Sequence, residues 1–354
     1  MNTPPSSPAE LLPVEPPASV DALEELLSRP TPGLVRAMAE LEGDLLVLGA
    51  AGKMGPTLCR MACRAADEDG KPRRVIAVSR FSNPDERRKF DAHGIETLAG
   101  DLLDDAFLRG LPDAPNVIFM AGMKFGATGN EPLTWQMNTV LPALVSKRFA
   151  ASRIAAFSTG NVYGLVRLDS GGSVESDPPN PLGEYAMSCL GRERAFEHAA
   201  RAANTPVAIL RLNYACELRY GVLVYLAQRI AADEVIDLSM PMFNVIWQGD
   251  ANAWALQSLL LADNPARILN LAGPEQLSTR RVCLRLGELM GREVRFTGEP
   301  PAEALLSNGQ LVHRLMGYPH LPVDHLIEWV AAWMRSGGET LGKATKFEVR
   351  DGKF

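Results

Sequence analysis

Residues 45–62 read LLVLGAAGKMGPTLCRMA: a short apolar run, a glycine-rich loop and the beginning of a helical pattern. Gly49, Gly52 and Gly55 have the spacing GxxGxxG between strand and helix. In such a loop the first glycine permits a tight turn, the second lets the backbone approach a pyrophosphate, and the third lets helix and strand pack. The helix N-terminus adds positive potential. We therefore predict a dinucleotide-binding loop rather than an incidental glycine turn.

The chain after this loop alternates short apolar runs with helical segments, as is typical of a parallel sheet covered by helices on both faces. We predict an α/β fold with a Rossmann-type, doubly wound sheet. The predicted strands are Asp44–Leu48, Arg74–Val78, Ile95–Leu98, Asn116–Met120, Arg153–Phe157 and Val207–Leu210.

Segments outside this pattern define the other predicted regions. Residues 1–18 are rich in Pro and Ser and are predicted to be a disordered arm. Two amphipathic stretches separated by PTPG predict a helical extension over 19–43. The arm and this extension are followed by a cofactor domain over 44–212, to which the chain returns at about 244–272. A smaller C-terminal substrate-binding lobe is predicted over 213–243 and 273–335. The last region is a polar tail over 336–354, to which we assign no role.

Composition excludes several classes of function. Apolar residues make up 46% of the chain and charged residues 22%, and no apolar run is long enough for a membrane span. The net charge is -6, and acidic and basic residues are interspersed along the chain, so neither a nucleic acid nor a membrane is an expected partner. The N-terminus lacks the features of a secretion signal, which predicts a cytoplasmic protein. Five cysteines without a CxxC pair and scattered histidines predict no disulfide framework and no metal site, and Cys59 and Cys63 are interpreted as core residues.

The end of the second strand bears on the choice of dinucleotide. NAD-preferring domains usually present an acidic residue there to the ribose 2′-hydroxyl. This sequence has Ser79 and Arg80 instead, which suit a 2′-phosphate better. NAD or NADP is therefore expected, with a preference for NADP, and the alternative is that Arg80 is an ordinary solvated arginine.

Six further segments carry a family resemblance: AGDLLDD (99–105), FMAGMKFG (119–126), WQMNTVLPALV (135–145), FSTGNVYG (157–164), NPLGEYAMSC (180–189) and ILRLNYA (209–215). Together with the glycine loop they resemble the extended short-chain dehydrogenases/reductases, the NAD-dependent epimerases and dehydratases that include UDP-galactose 4-epimerase. The resemblance extends over about Asp44 to Trp333.

The resemblance implies a role for particular residues. The resemblance adds Asp101, Leu102, Ala121, Gly122 and Lys124 to the cofactor-binding residues predicted from the glycine loop and the end of the second strand, which are Gly49, Gly52, Lys53, Met54, Gly55, Ser79 and Arg80. The implied catalytic positions are Thr159, Tyr185 and Cys189, and the implied substrate-side residues are Asn138, Asn161 and Asn213.

One position departs from the family pattern. The tyrosine motif YxxxK begins at Tyr185, but its lysine is Cys189 here. In the family the tyrosine is the general acid/base, and the lysine holds the nicotinamide ribose and lowers the pKa of the tyrosine. Arg192 or Lys124 could supply the missing positive charge. Cys189 itself could be a small buried residue or a nucleophile.

The resemblance implies an epimerase, dehydratase or reductase that acts on a sugar, sugar nucleotide or sugar-derived acid by hydride transfer, and a homodimer formed through two helices of the cofactor domain. Phe243 and Trp247 could stack on a sugar ring, although core positions are the alternative. A rival hypothesis is a regulatory or scaffold protein that binds the dinucleotide without catalysis, and the missing motif lysine is its main support.

Overall fold

The computed structural model describes residues 15–71, 73–124, 126 and 128–353, so that residues 1–14 of the predicted arm lie outside the described part. Its centre is a parallel sheet. The strands of this sheet, in chain order, are β1 Leu45–Leu48, β2 Val75–Ser79, β3 Glu96–Ala99, β4 Asn116–Phe119, β5 Arg153–Thr159, β6 Val207–Leu212 and β7 Arg267–Leu271.

The strand order across the sheet is β7-β6-β5-β4-β1-β2-β3. β1 lies between β2 and β4, with Leu46 opposite Ile76 on one side and Val117 on the other. The order of the strands therefore reverses at β1, and ligands of open parallel sheets bind outside the carboxyl ends of the strands at such a point. This arrangement confirms the predicted Rossmann-type, doubly wound fold.

Helices cover both faces of the sheet. Val47 packs in one buried cluster with Leu58 and Trp254, whereas its neighbour Leu46 packs in another with Phe196. The α-helices are α1 Val20–Leu27, α2 Pro32–Glu40, α3 Gly55–Asp69, α4 Pro84–Asp91, α5 Asp105–Gly110, α6 Glu131–Trp135, α7 Leu141–Arg148, α8 Gly183–Ala203, α9 Val222–Ala231, α10 Gln248–Gln257, α11 Thr279–Met290, α12 Gln310–Met316 and α13 Val323–Arg335. Within the described residues, no helix is both long enough and apolar enough to cross a membrane.

The predicted N-terminal helical extension consists of α1 and α2. The Ser19 side chain accepts a hydrogen bond from a backbone N–H in the first turn of α1, as an N-cap does. Leu23 of α1 is buried in the core of the C-terminal lobe, and Leu34 of α2 is buried against the sheet. The extension therefore contacts both parts of the molecule.

The predicted strands agree with the observed ones to within two residues at each end, but β7 was not predicted as a strand. It lies in the predicted return segment and pairs with β6. Its pattern is obscured by Asn270, a polar residue that is completely buried. The Asn270 side chain accepts a hydrogen bond from Tyr163 and donates to two backbone carbonyls, which compensates its burial.

The smaller lobe has its own core and is built from helices and two-stranded pairs. The pairs are Val166–Arg167 with Glu303–Ala304, Ala215–Cys216 with Ile246–Trp247, Ile236–Asp237 with Phe296–Thr297, and Met242–Phe243 with Leu277–Ser278. Phe243 and Trp247 are buried in this core, and Trp247 packs edge-on against Trp329. Their suggested stacking on a sugar ring is therefore wrong, because neither ring is exposed.

The C-terminal tail packs on this lobe. Phe347 is completely buried and its ring lies 5.3 Å from that of Phe243. The next residue, Glu348, forms an ion pair with Arg229 at 3.0 Å and accepts a hydrogen bond from the Tyr225 hydroxyl at 2.7 Å. The tail is therefore held on the lobe by both apolar and polar contacts.

Candidate active site

A groove runs across the carboxyl ends of β1 to β4, where the strand order reverses. It has a volume of about 280 Å³. The predicted cofactor residues that line it are Gly49, Gly52, Ser79, Arg80, Asp101, Leu102, Ala121 and Gly122. The structure therefore brings these residues, which come from four separate loops, to one surface.

Different constraints require glycine at the three positions of the loop. A Cβ at Gly49, whose φ is +86°, would lie 2.5 Å from the backbone nitrogen of Ala121, and a Cβ at Gly55 would overlap the carbonyl oxygen of Ala50. A Cβ at Gly52 would meet only the Gly49 carbonyl oxygen, at the ordinary contact distance of 3.6 Å. Packing within the protein thus accounts for Gly49 and Gly55 but not for Gly52. A pyrophosphate held against the loop accounts for Gly52, so these residues fit a dinucleotide.

The loops after β2 and β3 form the far end of the groove. The Gly100 N–H donates to the Ser79 carbonyl oxygen, and the Asp101 carboxylate accepts from the Leu103 N–H at 2.9 Å. These bonds fix the turn that carries Asp101. Arg80 is exposed at the rim of the groove, next to the half-buried Ser79.

A second cavity, of about 210 Å³, adjoins the glycine loop. The predicted site residues that line it are Lys53, Met54, Lys124, Thr159, Asn161, Tyr185 and Asn213. The catalytic and substrate-side predictions therefore converge here, apart from Asn138 and Cys189. Lys53, Met54 and Lys124, which were predicted at the cofactor, also belong to this cavity.

Thr159 and Tyr185 face each other in the second cavity. Thr159 ends β5, and its hydroxyl oxygen accepts hydrogen bonds from the backbone N–H of Asn161 at 3.2 Å and from the Asn161 side-chain amide at 2.9 Å. Burial raises the pKa of the Tyr185 hydroxyl, while Arg192 and a hydrogen bond with Thr159 oppose the increase. Tyr185 is therefore a neutral phenol at neutral pH, and such a group can donate a proton to a substrate oxygen.

Cys189 lies one helical turn after Tyr185 and has an exposed fraction of 0%. It packs with Val162 and Tyr163, and burial raises the pKa of its thiol. A nucleophilic cysteine needs a thiolate, which these surroundings disfavour. The geometry therefore favours the interpretation of Cys189 as a small buried residue.

The Lys124 Nζ lies 5.5 Å from the centroid of the Tyr185 ring. Burial lowers the pKa of Lys124 to about 8, and the Cys189 thiol opposes this decrease. The amine thus changes its charge close to physiological pH.

A buried network supports this part of the site from behind. The Arg192 guanidinium donates to the Phe157 carbonyl oxygen and to the Asn138 side-chain oxygen, each at 2.7 Å. The Asn138 amide also exchanges hydrogen bonds with the backbone of Met123 at 2.8 Å. The Asn138 side chain, which was predicted on the substrate side, is therefore buried behind the cavity and engaged in these hydrogen bonds, and it is not part of the cavity lining. A Cβ at Gly122 would overlap Arg192, which gives this glycine a packing role that the sequence did not reveal.

The cavity also contains residues that sequence reasoning missed. They are Ser158, Leu212, Tyr214, Ala215, Tyr220, Gly221, Val222, Gln248 and Thr345. Tyr214, Ala215 and the residues up to Val222 directly follow the predicted substrate contact Asn213, which was the available signal for them. For Thr345 there was no signal, because its tail had no recognisable motif. Among the described residues, the 273–335 part of the predicted substrate-binding lobe contributes nothing to the lining.

Comparison with known proteins agrees with this geometry. The model of the NAD dependent epimerase/dehydratase family matches residues 45–235, which is more than half of the chain. The chain belongs to this family. The family match contains the groove and most of the residues that line the second cavity, and it ends before Gln248 and the tail. No curated protein matches the chain in sequence.

Solved structures show how widely this fold is shared. A UDP-glucuronic acid 4-epimerase variant from Bacillus cereus, in complex with NAD and a fluorinated UDP-sugar, has a TM-score of 0.67 at 17% identity and covers 83% of this chain and 99% of its own. A dTDP-glucose 4,6-dehydratase from Streptomyces venezuelae with NAD bound has a TM-score of 0.68 at 20% identity and covers 83% of this chain and 97% of its own. At these identities the likeness shows the fold.

Proposed function

We propose that the protein is an enzyme that binds NAD or NADP in the groove and transfers hydride at a carbinol or carbonyl carbon of a sugar, sugar nucleotide or sugar-derived acid in the adjoining cavity. One observation carries the proposal: Thr159 and Tyr185 open into a cavity that begins at the dinucleotide loop. Family membership and the NAD and UDP-sugar complexes of similar structures support it.

The residues have distinct roles in this proposal. The loop around Gly52 and the N-terminus of α3 hold the pyrophosphate, and Asp101 and Leu102 border the adenine end. The bound dinucleotide supplies the hydride donor or acceptor. Tyr185 donates a proton to the reacting oxygen or withdraws it, and Thr159 holds that oxygen by a second hydrogen bond. Epimerase, dehydratase and reductase activities all use this arrangement.

Lys124 replaces the missing motif lysine in this proposal. Its ammonium group can stabilise the phenolate of Tyr185 from across the cavity, whereas Arg192 acts from behind and is occupied by Phe157 and Asn138. The rival hypothesis of a non-catalytic dinucleotide-binding protein predicts no such dependence on Lys124.

Restoring the family motif separates the two hypotheses. We expect Cys189→Lys to lower the turnover rate at least about ten-fold, because a second ammonium group would enter a fully buried position close to Lys124. Cys189→Ala is the matched control and keeps turnover within about three-fold. The measurement is the amount of sugar product formed from UDP-glucose, UDP-glucuronic acid or dTDP-glucose in the presence of NAD or NADP, because an epimerase or dehydratase regenerates its cofactor in each cycle. A gain of activity in Cys189→Lys would instead indicate a degenerate site.

Gly52 provides a test of dinucleotide binding that is independent of turnover. We expect Gly52→Val to weaken NADH and NADPH binding at least about 30-fold, because the new side chain would occupy the pyrophosphate position. The melting temperature should change by no more than about 2 °C, since a Cβ fits here without a clash. Gly110→Val, at an open position on α5, is the control. Equal affinities in calorimetric titration of both variants would show that the groove does not hold the dinucleotide at this loop.

Arg80 decides between the two dinucleotides. The groove has Ser79 and Arg80 after β2, so we expect a preference for NADPH that Arg80→Ala reduces about ten-fold. Binding of NADH should change less than two-fold. If the wild-type protein prefers NADH, or if Arg80→Ala weakens both cofactors equally, Arg80 does not read the 2′-phosphate.

The assembly of the protein is proposed from its exposed apolar side chains. Large apolar side chains are exposed on and beside α6 and α8, namely Leu133, Trp135, Val140, Leu182 and Met187. A cluster of this kind marks a contact surface, and a homodimer is the assembly that it supports. A cytoplasmic location stays a prediction from the sequence.

A further inference from the structure

A tight turn over residues 217–220 of the smaller lobe borders the substrate cavity. The Glu217 N–H donates to the Tyr220 carbonyl oxygen at 2.9 Å, and the Tyr220 N–H donates to the Glu217 carbonyl oxygen at 3.3 Å. Tyr220 lines the substrate cavity, whereas its neighbour Arg219 lines an adjoining groove. The turn therefore presents one residue to the substrate cavity and the next to the part of the molecule beside it.

The Tyr220 ring covers the side chain of Lys53, which belongs to the dinucleotide loop. The Lys53 Nζ lies 3.0 Å from the centroid of this ring, within the range of a cation–π contact. Lys53 lines the substrate cavity together with Tyr220, whereas its neighbour Gly52 lines the dinucleotide groove. The ring therefore holds the Lys53 side chain on the substrate side of the loop.

The charge of Lys53 depends on how closely it is covered. The pKa of Lys53 is lowered to about 7, mainly by burial and in part by repulsion from Lys124 and Lys343, whereas Cys216 and Glu217 oppose the decrease. Admitting water to the amine would raise this pKa toward the ordinary lysine value of about 10.5. The pKa of Lys53 thus reports whether the wall above it is closed.

Arg219 connects the turn to the N-terminal extension. Its backbone N–H and its guanidinium donate to the Glu217 carboxylate at 2.9 and 3.2 Å, and the guanidinium also donates to Glu24 of α1 at 2.9 Å. The Arg219 side chain is only 7% exposed, so water and salt screen these pairs less than they screen pairs at the surface. The contact with Glu24 therefore restricts the position of the turn.

The helix α1 is also attached to the cofactor domain. Glu25, the residue after Glu24, forms an ion pair at 2.9 Å with Arg64 of α3, the helix that follows the dinucleotide loop. Two adjacent residues of α1 thus pair with different parts of the molecule, one with the turn and the other with α3. The extension therefore fixes the turn relative to the loop that carries Lys53.

We propose that the 217–220 turn is a wall of the active site in which Tyr220 directs the Lys53 side chain toward the substrate, and that Glu24 is a positioning residue for this wall and acts through Arg219. The inference deepens the proposed function and rests on it, because the substrate is the one proposed for the same cavity. It gives a role to the N-terminal extension, which lies outside the residues that the family model matches.

The first test measures Lys53 itself and needs neither cofactor nor substrate. The full-length protein is labelled with acetic anhydride at a series of pH values, and mass spectrometry gives the pKa of Lys53 from its labelling rate. We expect Tyr220→Ala to raise this pKa from about 7 to above about 8, because burial is the largest cause of its decrease and outweighs the lost cation–π contact. The conservative variant Tyr220→Phe keeps the ring and should restore the low pKa.

Glu24→Gln tests the positioning role in the same assay. The pKa of Lys53 should rise to above about 7.5 in this variant. The effect is smaller than that of Tyr220→Ala because the Leu341 N–H of the tail also holds the turn, by donating to the Arg219 carbonyl oxygen at 3.0 Å. Asp21→Asn, at an exposed residue of the same helix, is the matched control and should leave the pKa of Lys53 at its wild-type value.

Steady-state turnover with UDP-glucose, UDP-glucuronic acid and dTDP-glucose gives a second readout. Tyr220→Ala should raise KM at least about ten-fold and Glu24→Gln about three-fold, with kcat within about three-fold, because the wall contacts the substrate but does not move the proton. A role of Glu24 in stability alone would lower the melting temperature and leave both KM and the pKa of Lys53 unchanged. That result would overturn the positioning role.

The labelling assay and dinucleotide titrations distinguish this proposal from the proposed function. An unchanged pKa of Lys53 in Tyr220→Ala, or the same pKa in Glu24→Gln and Asp21→Asn, overturns the wall as proposed, and the proposed function stands if NADH or NADPH binds. If neither dinucleotide binds but the pKa of Lys53 rises in Tyr220→Ala and Glu24→Gln and not in Asp21→Asn, the proposed function is overturned and the wall that Glu24 positions is supported.

Discussion

Tyr185→Phe is expected to lower kcat by about 100- to 10 000-fold, which is the range for loss of a general acid/base. The variant lacks the only hydroxyl of this side chain, and burial keeps that hydroxyl protonated at neutral pH because it raises the pKa of Tyr185. Affinity for the dinucleotide should stay within about three-fold, since the described groove residues do not include Tyr185. Steady-state turnover with the UDP- and dTDP-sugars and a cofactor titration measure both quantities.

The matched control for this variant is Tyr318→Phe. Tyr318 is 69% exposed and lies outside the described lining of the cavity, so turnover should not change. Unchanged kcat in Tyr185→Phe would mean that another group moves the proton. An equal loss in both variants would point to an effect on folding rather than on chemistry.

Lys124→Met is expected to lower kcat about 100-fold, because it removes the ammonium group that lies 5.5 Å from the Tyr185 ring. The pKa of Lys124 is lowered to about 8 by burial, so the charged form dominates below that pH. Wild-type turnover should therefore fall as the pH rises through about 8, and this decrease should be missing from Lys124→Met. A pH profile from 6 to about 10 measures the change.

The sign of the accompanying stability effect follows from the same pKa. A lysine whose pKa is lowered in the folded state makes folding less favourable at pH values below that pKa, where the charge is buried. Removing the charge should thus leave the melting temperature of Lys124→Met at neutral pH unchanged or raised. Lys353→Met, at an exposed position of the tail, is the control. Retained turnover with an unchanged pH profile in Lys124→Met would contradict the role of Lys124.

Much of the fold could be predicted because its signals are local. The central strands β1 and β2 are nearly continuous apolar runs, since both of their faces are covered by helices, and glycines mark the loop that follows β1. The strand β7 was not predicted because Asn270 interrupts its apolar pattern, and the hydrogen-bond partners that compensate that residue, among them Tyr163, are distant in sequence.

The site was predictable where it follows family motifs and unpredictable where it depends on tertiary contacts. Thr159 and Tyr185 were predicted from the family resemblance and meet in one cavity. Thr345 reaches that cavity because Phe347 is buried among aromatic rings of the lobe, and no local sequence pattern predicts such a contact. Phe243 was suggested as a sugar contact because the sequence does not show which residues cover its ring.

The central claim, that the groove holds a nicotinamide dinucleotide, is tested most directly by identifying the nucleotide that the purified protein carries or binds. The protein is denatured, the released nucleotides are separated and weighed by mass spectrometry, and the fresh protein is titrated with NADH and NADPH. We predict either a stoichiometric NAD(P) species in the released fraction or saturable binding with a Kd in the range of about 1 to 100 µM. No released dinucleotide together with no binding of either cofactor up to about 1 mM would contradict the account.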